Sequence, residues 1–170
     1  MFQWLKNLFA HKQTTSKKEK IISGIISFGY IFLLGFAGSS KPDTFYAALK
    51  KPASVPPNWV FPVVWTILFI LIGLAGFYVW NNYESNFKRK LFAFLYVING
   101  ILIFLWSYLF FGLHDIKTPL YVIIGIIIIA ELMVVTAFGT NRKAAYLLLP
   151  YLVWILFATY LNSTIILLNA

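Results

Sequence analysis

The chain has 170 residues, 61% of them hydrophobic and only 11% charged, with no cysteine and a formal net charge of +9. A soluble domain carries about 25% charged residues, so this composition excludes one. The missing thiols exclude disulfides, thiolate nucleophiles and cysteine metal sites. The length leaves room for one bundle and no second domain.

Residues 1–20 carry Phe2, Leu5, Leu8 and Phe9 at helical spacing among Lys6, Lys12, Lys17, Lys18 and Lys20. That pattern predicts a basic amphipathic N-terminal extension resting on an anionic leaflet. From residue 21 onward the chain is read as a five-helix transmembrane bundle, residues 21–170, because a hydrocarbon core about 30 Å thick takes about 20 apolar residues per helix. The first span covers about 21–40, and its Gly24, Gly29, Gly35 and Gly38 predict close packing against a neighbour. A loop with Pro52, Pro56 and Pro57 follows; three prolines bar the continuous helix that lipid demands, so it must shelter on protein or at the surface. The second span covers 59–80, the third 91–113, the fourth 120–138 and the fifth 144–168. The fold class is therefore all-α, a polytopic membrane protein.

The basic residues fix an expected orientation. Ten of the fourteen lie in the N-terminal flank, the second loop and the fourth loop, against four in the first and third loops. The positive-inside rule then places the N-terminus in the cytoplasm and the proline-rich loop outside. Scattered in this way, the charges form no continuous patch, so membrane lipids are expected as partners and nucleic acid is not.

Familiar catalytic machinery is absent. His11 and His114 fall on opposite sides of the predicted membrane, so they form neither a metal pair nor two axial haem ligands. No serine–histidine–acid set, glycine-rich phosphate loop or paired carboxylate is present, and no metal residue is assigned. The sequence offers aromatic surface instead. Trp59 and Trp80 bracket the second span as interface residues. Trp65, Trp106 and Trp154 lie well inside their helices, where they either fill the bundle or line a slot for a flat apolar ligand. Polar candidates for that slot are Tyr46, Asn99, Ser107, Tyr151 and Asn162, with Asn162 the one best suited to joining helices. Glu131, near the middle of the fourth span, should face the bundle interior or be protonated; a functional group, a dimer contact and a structural hydrogen bond all remain open.

Several blocks resemble the translocator protein family, also called the tryptophan-rich sensory proteins (TspO/MBR). The loop and second span supply Tyr46, Leu49, Lys51, Pro52, Pro56, Pro57, Trp59, Phe61, Val64, Trp65 and Thr66, with Gly73, Ala75, Val79 and Trp80 beyond. The third span adds Trp106, Ser107, Phe110, Phe111 and Gly112. The fifth adds Leu149, Pro150, Tyr151, Leu152, Trp154, Phe157, Ala158, Thr159, Leu161, Asn162 and Asn169. Departures stand at Phe45 and Ser54, where the family usually has tryptophan, and at Asn99 and Ile103 in place of a Gln-x-x-x-Asn pair. No Lys or Arg follows Tyr160, so the weak sterol-recognition pattern finds no support.

The resemblance implies a five-helix bundle, commonly a homodimer, with a pocket capped by the first loop. It implies porphyrins as ligands, a tetrapyrrole or haem-like small molecule with no obligatory cofactor. On that basis Tyr46, Pro52, Pro56 and Pro57 form a lid, and Trp65, Phe69, Trp106, Phe110 and Trp154 form walls. Ala158 and Leu161 form a floor, Asn99 is the polar anchor, and Trp59, Phe61 and Tyr151 complete the ligand-binding set. The leading function is a membrane binding protein for planar hydrophobic ligands, acting as sensor, carrier or scavenger. One alternative is light-dependent porphyrin breakdown, with Trp65 or Trp154 supplying the reactive indole. Another is a non-catalytic regulator of a partner protein, for which the N-terminal extension speaks.

Overall fold

Ser16 starts the first long helix. Its backbone N–H donates to Glu19 Oε2 at 2.9 Å, and the Glu19 N–H donates back to Ser16 Oγ at 3.3 Å. This reciprocal capping satisfies two of the N–H groups that a helix start leaves open. The computed structural model describes residues 13–37, 44–83 and 86–170. Helix α1 is Lys17–Ala37, so the last turn of the expected surface extension is the first turn of this helix. Gln13 and Thr14 form a short strand β1 that pairs antiparallel with β2, Asn82–Tyr83. The remainder of the extension, residues 1–12, and the end of the expected first span, residues 38–40 with Gly38, lie outside the described residues.

A short helix α2, Thr44–Ala48, sits within the first loop. Then come α3, Val60–Asn81; α4, Asn86–Ser107, which passes into a π-helical turn, Tyr108–Gly112; α5, Thr118–Phe138; and α6, Arg142–Leu168. Helices satisfy every backbone polar group internally, which is why apolar runs in lipid adopt them. Among the described residues four helices have the length and composition to cross a membrane: Val60–Asn81, Asn86–Gly112, Thr118–Phe138 and Arg142–Leu168. Helix α1 lies along α3 and turns Ile25, Ile26, Phe28, Phe32 and Leu33 outward. Both α4 and α6 begin earlier than their apolar runs, taking Lys88, Arg89, Lys90, Arg142 and Lys143 into the helix. Long basic side chains reach water from the ends of such helices while their stems stay on apolar surface.

The long helices pack in the ring order α1, α3, α6, α5, α4 and back to α1, with α3 and α4 also touching. Ile72, Ala75, Asn99, Met133, Ala137 and Tyr151 are completely buried at its centre. Two expectations about packing are corrected here. Gly29 and Gly35 meet nothing within 4 Å, and Gly24 makes only ordinary contact with Phe77. The close approaches occur on the facing helices: Gly73 receives Ile31, Gly76 receives the Tyr96 ring, and Gly100 receives Tyr30. At Gly100 a Cβ would stand 2.6 Å from the Tyr30 ring, and the bare backbone there lets the Tyr30 hydroxyl donate to the Tyr96 carbonyl at 2.9 Å.

The second correction concerns Glu131. Helix α5 turns it outward, exposed, with no hydrogen-bond or ion-pair partner inside the chain among the described residues. Its neighbours Ile123, Ile126, Ala130 and Val134 take the inward face instead. Both faces of this isoleucine-rich helix are apolar, so the sequence pattern did not choose between them.

Candidate functional site

The proline-rich loop is held down by backbone groups rather than by its prolines. Asn169, just past the end of α6, uses its side-chain amide as a clasp. Its Oδ1 accepts from Lys50 N–H at 3.0 Å, and its Nδ2 donates to the Lys50 carbonyl at 2.9 Å and to the Ile165 carbonyl at 2.8 Å. Lys51 closes α2: its Nζ donates to the carbonyls of Tyr46 at 2.6 Å and Leu49 at 3.0 Å, and sits 4.7 Å from the Tyr46 ring centre. A cation at a helix C-terminus neutralises the partial negative charge of the last carbonyls. Further along the loop, Ser54 Oγ lies 3.2 Å from the Tyr160 hydroxyl of α6, as donor to it.

Beneath this loop lies a first aromatic group. Tyr46, 8% exposed, meets Phe110 at 6.3 Å and Phe111 at 6.0 Å between ring centres. Trp106 stacks on Phe110 at 5.4 Å and meets Phe111 edge-on at 6.0 Å. The π-helical turn puts Phe110 and Phe111 under the first loop; its signature is the Leu113 N–H donating to the Tyr108 carbonyl at 3.0 Å, five residues back. Such turns widen the helix by one residue and frequently mark functional sites. Past it, His114 takes a left-handed backbone at φ 56 and its ring stacks on Phe45 at 4.4 Å. Burial holds the Tyr46 phenol above its ordinary pKa, so it stays a neutral hydrogen-bonding group.

A second group lies deeper. Trp65 meets Phe69 at 5.2 Å and Tyr151 at 6.4 Å, and Phe61 meets Trp154 at 5.9 Å. Asn99 and Tyr151, each fully buried, hydrogen-bond across the bundle: Asn99 Nδ2 lies 3.0 Å from the Tyr151 hydroxyl, and that hydroxyl lies 3.3 Å from Asn99 Oδ1. The expected polar anchor is thus already tied to a helix opposite. Asn162 does the joining its position predicted, donating to the Ile116 carbonyl at 2.8 Å and accepting from Trp106 Nε1 at 3.4 Å.

The three interior tryptophans and Ala158 are half-buried and packed on the core, and Leu161 is buried. Trp154 Nε1 is a buried donor with no acceptor. Pro52 and Pro56 are half-buried and Pro57 is exposed. Trp59 stands apart, 68% exposed, where an interface aromatic would stand rather than a wall residue. Sequence reasoning counted Asn169 and Phe111 among the family-like residues but gave neither a role at the site, and it missed the π-helical turn. The family-like block that ends at Asn169, and its placement immediately after the last apolar run, were the signals that could have suggested a cap, and nothing in the sequence marks the extra residue at 108–112. Among the described residues no group of three or more His, Asp or Glu gathers to hold a metal.

The opposite end of the bundle is closed by amides. Buried Asn81 accepts from Thr15 Oγ1 and donates to Ser23 Oγ at 2.7 Å and to the Phe77 carbonyl at 2.9 Å. Asn141 caps α6 by accepting from the Lys143 N–H at 3.1 Å. The residues just before α1 are therefore docked on the bundle.

Residues 22–168 match the TspO/MBR family. The chain is 41% identical over 157 residues to a tryptophan-rich protein TspO of Archaeoglobus fulgidus, covering 89% of this chain and 97% of that one. It is 39% identical over 163 residues to the protein of the same name from Chlorobaculum tepidum, with 89% and 98% covered. Against the human translocator protein it is 33% identical over 119 residues, 69% of this chain and 70% of that one.

Proposed function

Since the chain belongs to the TspO/MBR family of membrane proteins, we propose that it binds planar hydrophobic ligands of the tetrapyrrole class beneath the first loop, as a sensor, carrier or scavenger. One observation carries this reading: Trp65, Trp106 and Trp154 all turn inward onto the core under a loop clasped by Asn169. Indole and phenyl faces suit a flat conjugated guest, and a loop already held in place lowers the ordering cost of closing over it. The buried Trp154 N–H supplies a donor for a carbonyl or carboxylate on such a guest. On the balance of basic residues, the clasped loop faces away from the cytoplasm.

The test is a fluorescence titration of the detergent-purified full chain with protoporphyrin IX, haem and a sterol. Protoporphyrin IX should quench the tryptophans saturably, and Trp65→Ala should weaken binding by about 1–3 kcal/mol. Quenching that is absent, or a sterol preferred over both tetrapyrroles, would overturn the reading. New product under illumination, lost in both Trp65→Phe and Trp154→Phe, would move it to light-dependent degradation.

A further inference from the structure

His114 has the one left-handed backbone among the described non-glycine residues, at φ 56. A residue with a Cβ is disfavoured there, and such an outlier persists only where its surroundings hold it. What this backbone achieves is a contact: the imidazole lies nearly flat on the Phe45 ring, 4.4 Å between centres and 21° between planes. Phe45 belongs to α2 in the first loop, and its ring also meets Phe110 edge-on at 6.4 Å. The two ends of α2 are thus held differently. The far end has the Asn169 clasp on Lys50 and the Lys51 cap, whereas Phe45, near the start, is held by rings.

An imidazole is the side chain whose charge ordinarily changes between about pH 5 and about pH 8. Three neighbours favour its charged form while the stack is in place. The face of a phenyl ring attracts a cation set over it. His114 follows closely on the π-helical turn that ends α4, where the last carbonyls carry partial negative charge. Asp115, next in the chain, is held below the ordinary carboxylate value by hydrogen bonds from the Thr118 side chain and the Lys117 N–H, so it is ionised throughout that range. The remaining charges at this end are cations. Lys50 and Lys117 are exposed, where salt and water screen them, and Lys51 Nζ is turned onto the Tyr46 and Leu49 carbonyls. Helix α6 brings only the amides of Asn162 and Asn169 here, and neither α3 nor α4 beyond Lys90 holds a charged residue. Lys41 and Asp43, ahead of α2, lie outside the described residues.

We propose that His114 is a proton-sensitive latch on the first loop: its imidazolium holds Phe45, and with it α2, more firmly than the neutral ring does. The contact is strongest in acid and weakens as pH rises through the imidazole range. That the latch also sets how fast a ligand leaves rests on the tetrapyrrole reading above. Its hold on the loop does not.

The test follows amide exchange of α2 in the ligand-free full chain in lipid vesicles. At each pH the rate is compared with that of His114→Asn, since asparagine tolerates the left-handed backbone and the ratio cancels the pH dependence of exchange itself. From about pH 8 to about pH 5.5 the protection of the wild type over this variant should grow about threefold. In a Phe45→Leu background the same comparison should stay flat, because an apolar contact remains but the ring face is gone. Thermal unfolding at the higher pH checks that both variants are folded. A ratio indifferent to pH, or a response that survives Phe45→Leu, overturns the proposal. Release of bound protoporphyrin IX should slow by the same factor in acid, again relative to His114→Asn. Release that ignores pH while exchange responds overturns the latch's control of the ligand. Exchange that responds while protoporphyrin IX fails to bind overturns the ligand reading and supports the latch; normal binding with indifferent exchange does the reverse.

Discussion

The two ends of the bundle are closed in different ways. At the end bearing β1 and β2, buried Asn81 joins Thr15, Ser23 and Phe77, so every polar atom of its amide has a partner and the helices are fixed to each other. At the end bearing the first loop, Asn169 ties that loop to a helix through one residue, Lys50, and below it lie stacked rings. Beneath them Trp154 leaves a buried indole N–H unpaired. A satisfied buried amide network resists opening, whereas a clasp on one exposed residue releases at small cost. The difference separates an end fixed by a buried amide from the end at which the proposed ligand would enter.

Four perturbations sharpen this contrast. The largest effect is expected at neither end but between them: Gly100→Leu collides with a Tyr30 ring that cannot retreat without losing its bond to the Tyr96 carbonyl. It should cost about 3 kcal/mol, seen as a lowered unfolding temperature in detergent. Next, Asn81→Leu strands the Thr15 hydroxyl and removes the donor to Ser23 Oγ, which keeps its bond to the Lys20 carbonyl, and should cost about 2 kcal/mol of stability while leaving tetrapyrrole affinity alone. If affinity falls in parallel with stability, the two ends are not separable. Asn169→Ala should cost only about 1 kcal/mol globally. Its signature is local, with faster amide exchange at Lys50 and faster ligand release at unchanged tryptophan packing.

The smallest effect is a pH dependence. Asp115 accepts from Lys117 N–H at 2.8 Å and Thr118 N–H at 3.2 Å, capping α5 at the end that bears the first loop. A hydrogen bond from the Thr118 side chain, then that from the Lys117 N–H, holds its carboxyl below the ordinary value, and at the start of α1 the Ser16 backbone does the same for Glu19. A depressed carboxylate contributes stability that is present above its unfolded pKa and lost as pH falls through its folded one. For the exposed Asp115 this is about 0.5 kcal/mol after screening by solvent. Acid titration of the unfolding temperature should show a shallow fall below the ordinary carboxylate range, and Asp115→Asn should flatten it.

Much of the bundle was legible because lipid imposes length. Four apolar runs near 20 residues became helices at nearly the expected bounds, and the blocks around Pro56, Trp65, Trp106 and Tyr151 marked the family before any coordinate. Their inward or outward facing was not legible. In a soluble helix polar residues label the outer side, but in hydrocarbon both sides are apolar. Gly29 and Gly73 look alike in the sequence, yet one faces open space and the other receives Ile31. Glu131 looked like an interior group for the same reason.

The sequence by itself determined that this chain crosses the membrane repeatedly, belongs to the TspO/MBR family and concentrates indoles within its spans. It could do so because hydropathy and motif spacing are local properties of the chain. Tertiary structure alone decided that Asn169 holds Lys50 across 119 positions, that Asn99 is tied to Tyr151, and that Glu131 looks away from the bundle. Those outcomes depend on how each helix rotates about its own axis, and that rotation is set by packing against neighbours rather than by contrast with a polar solvent.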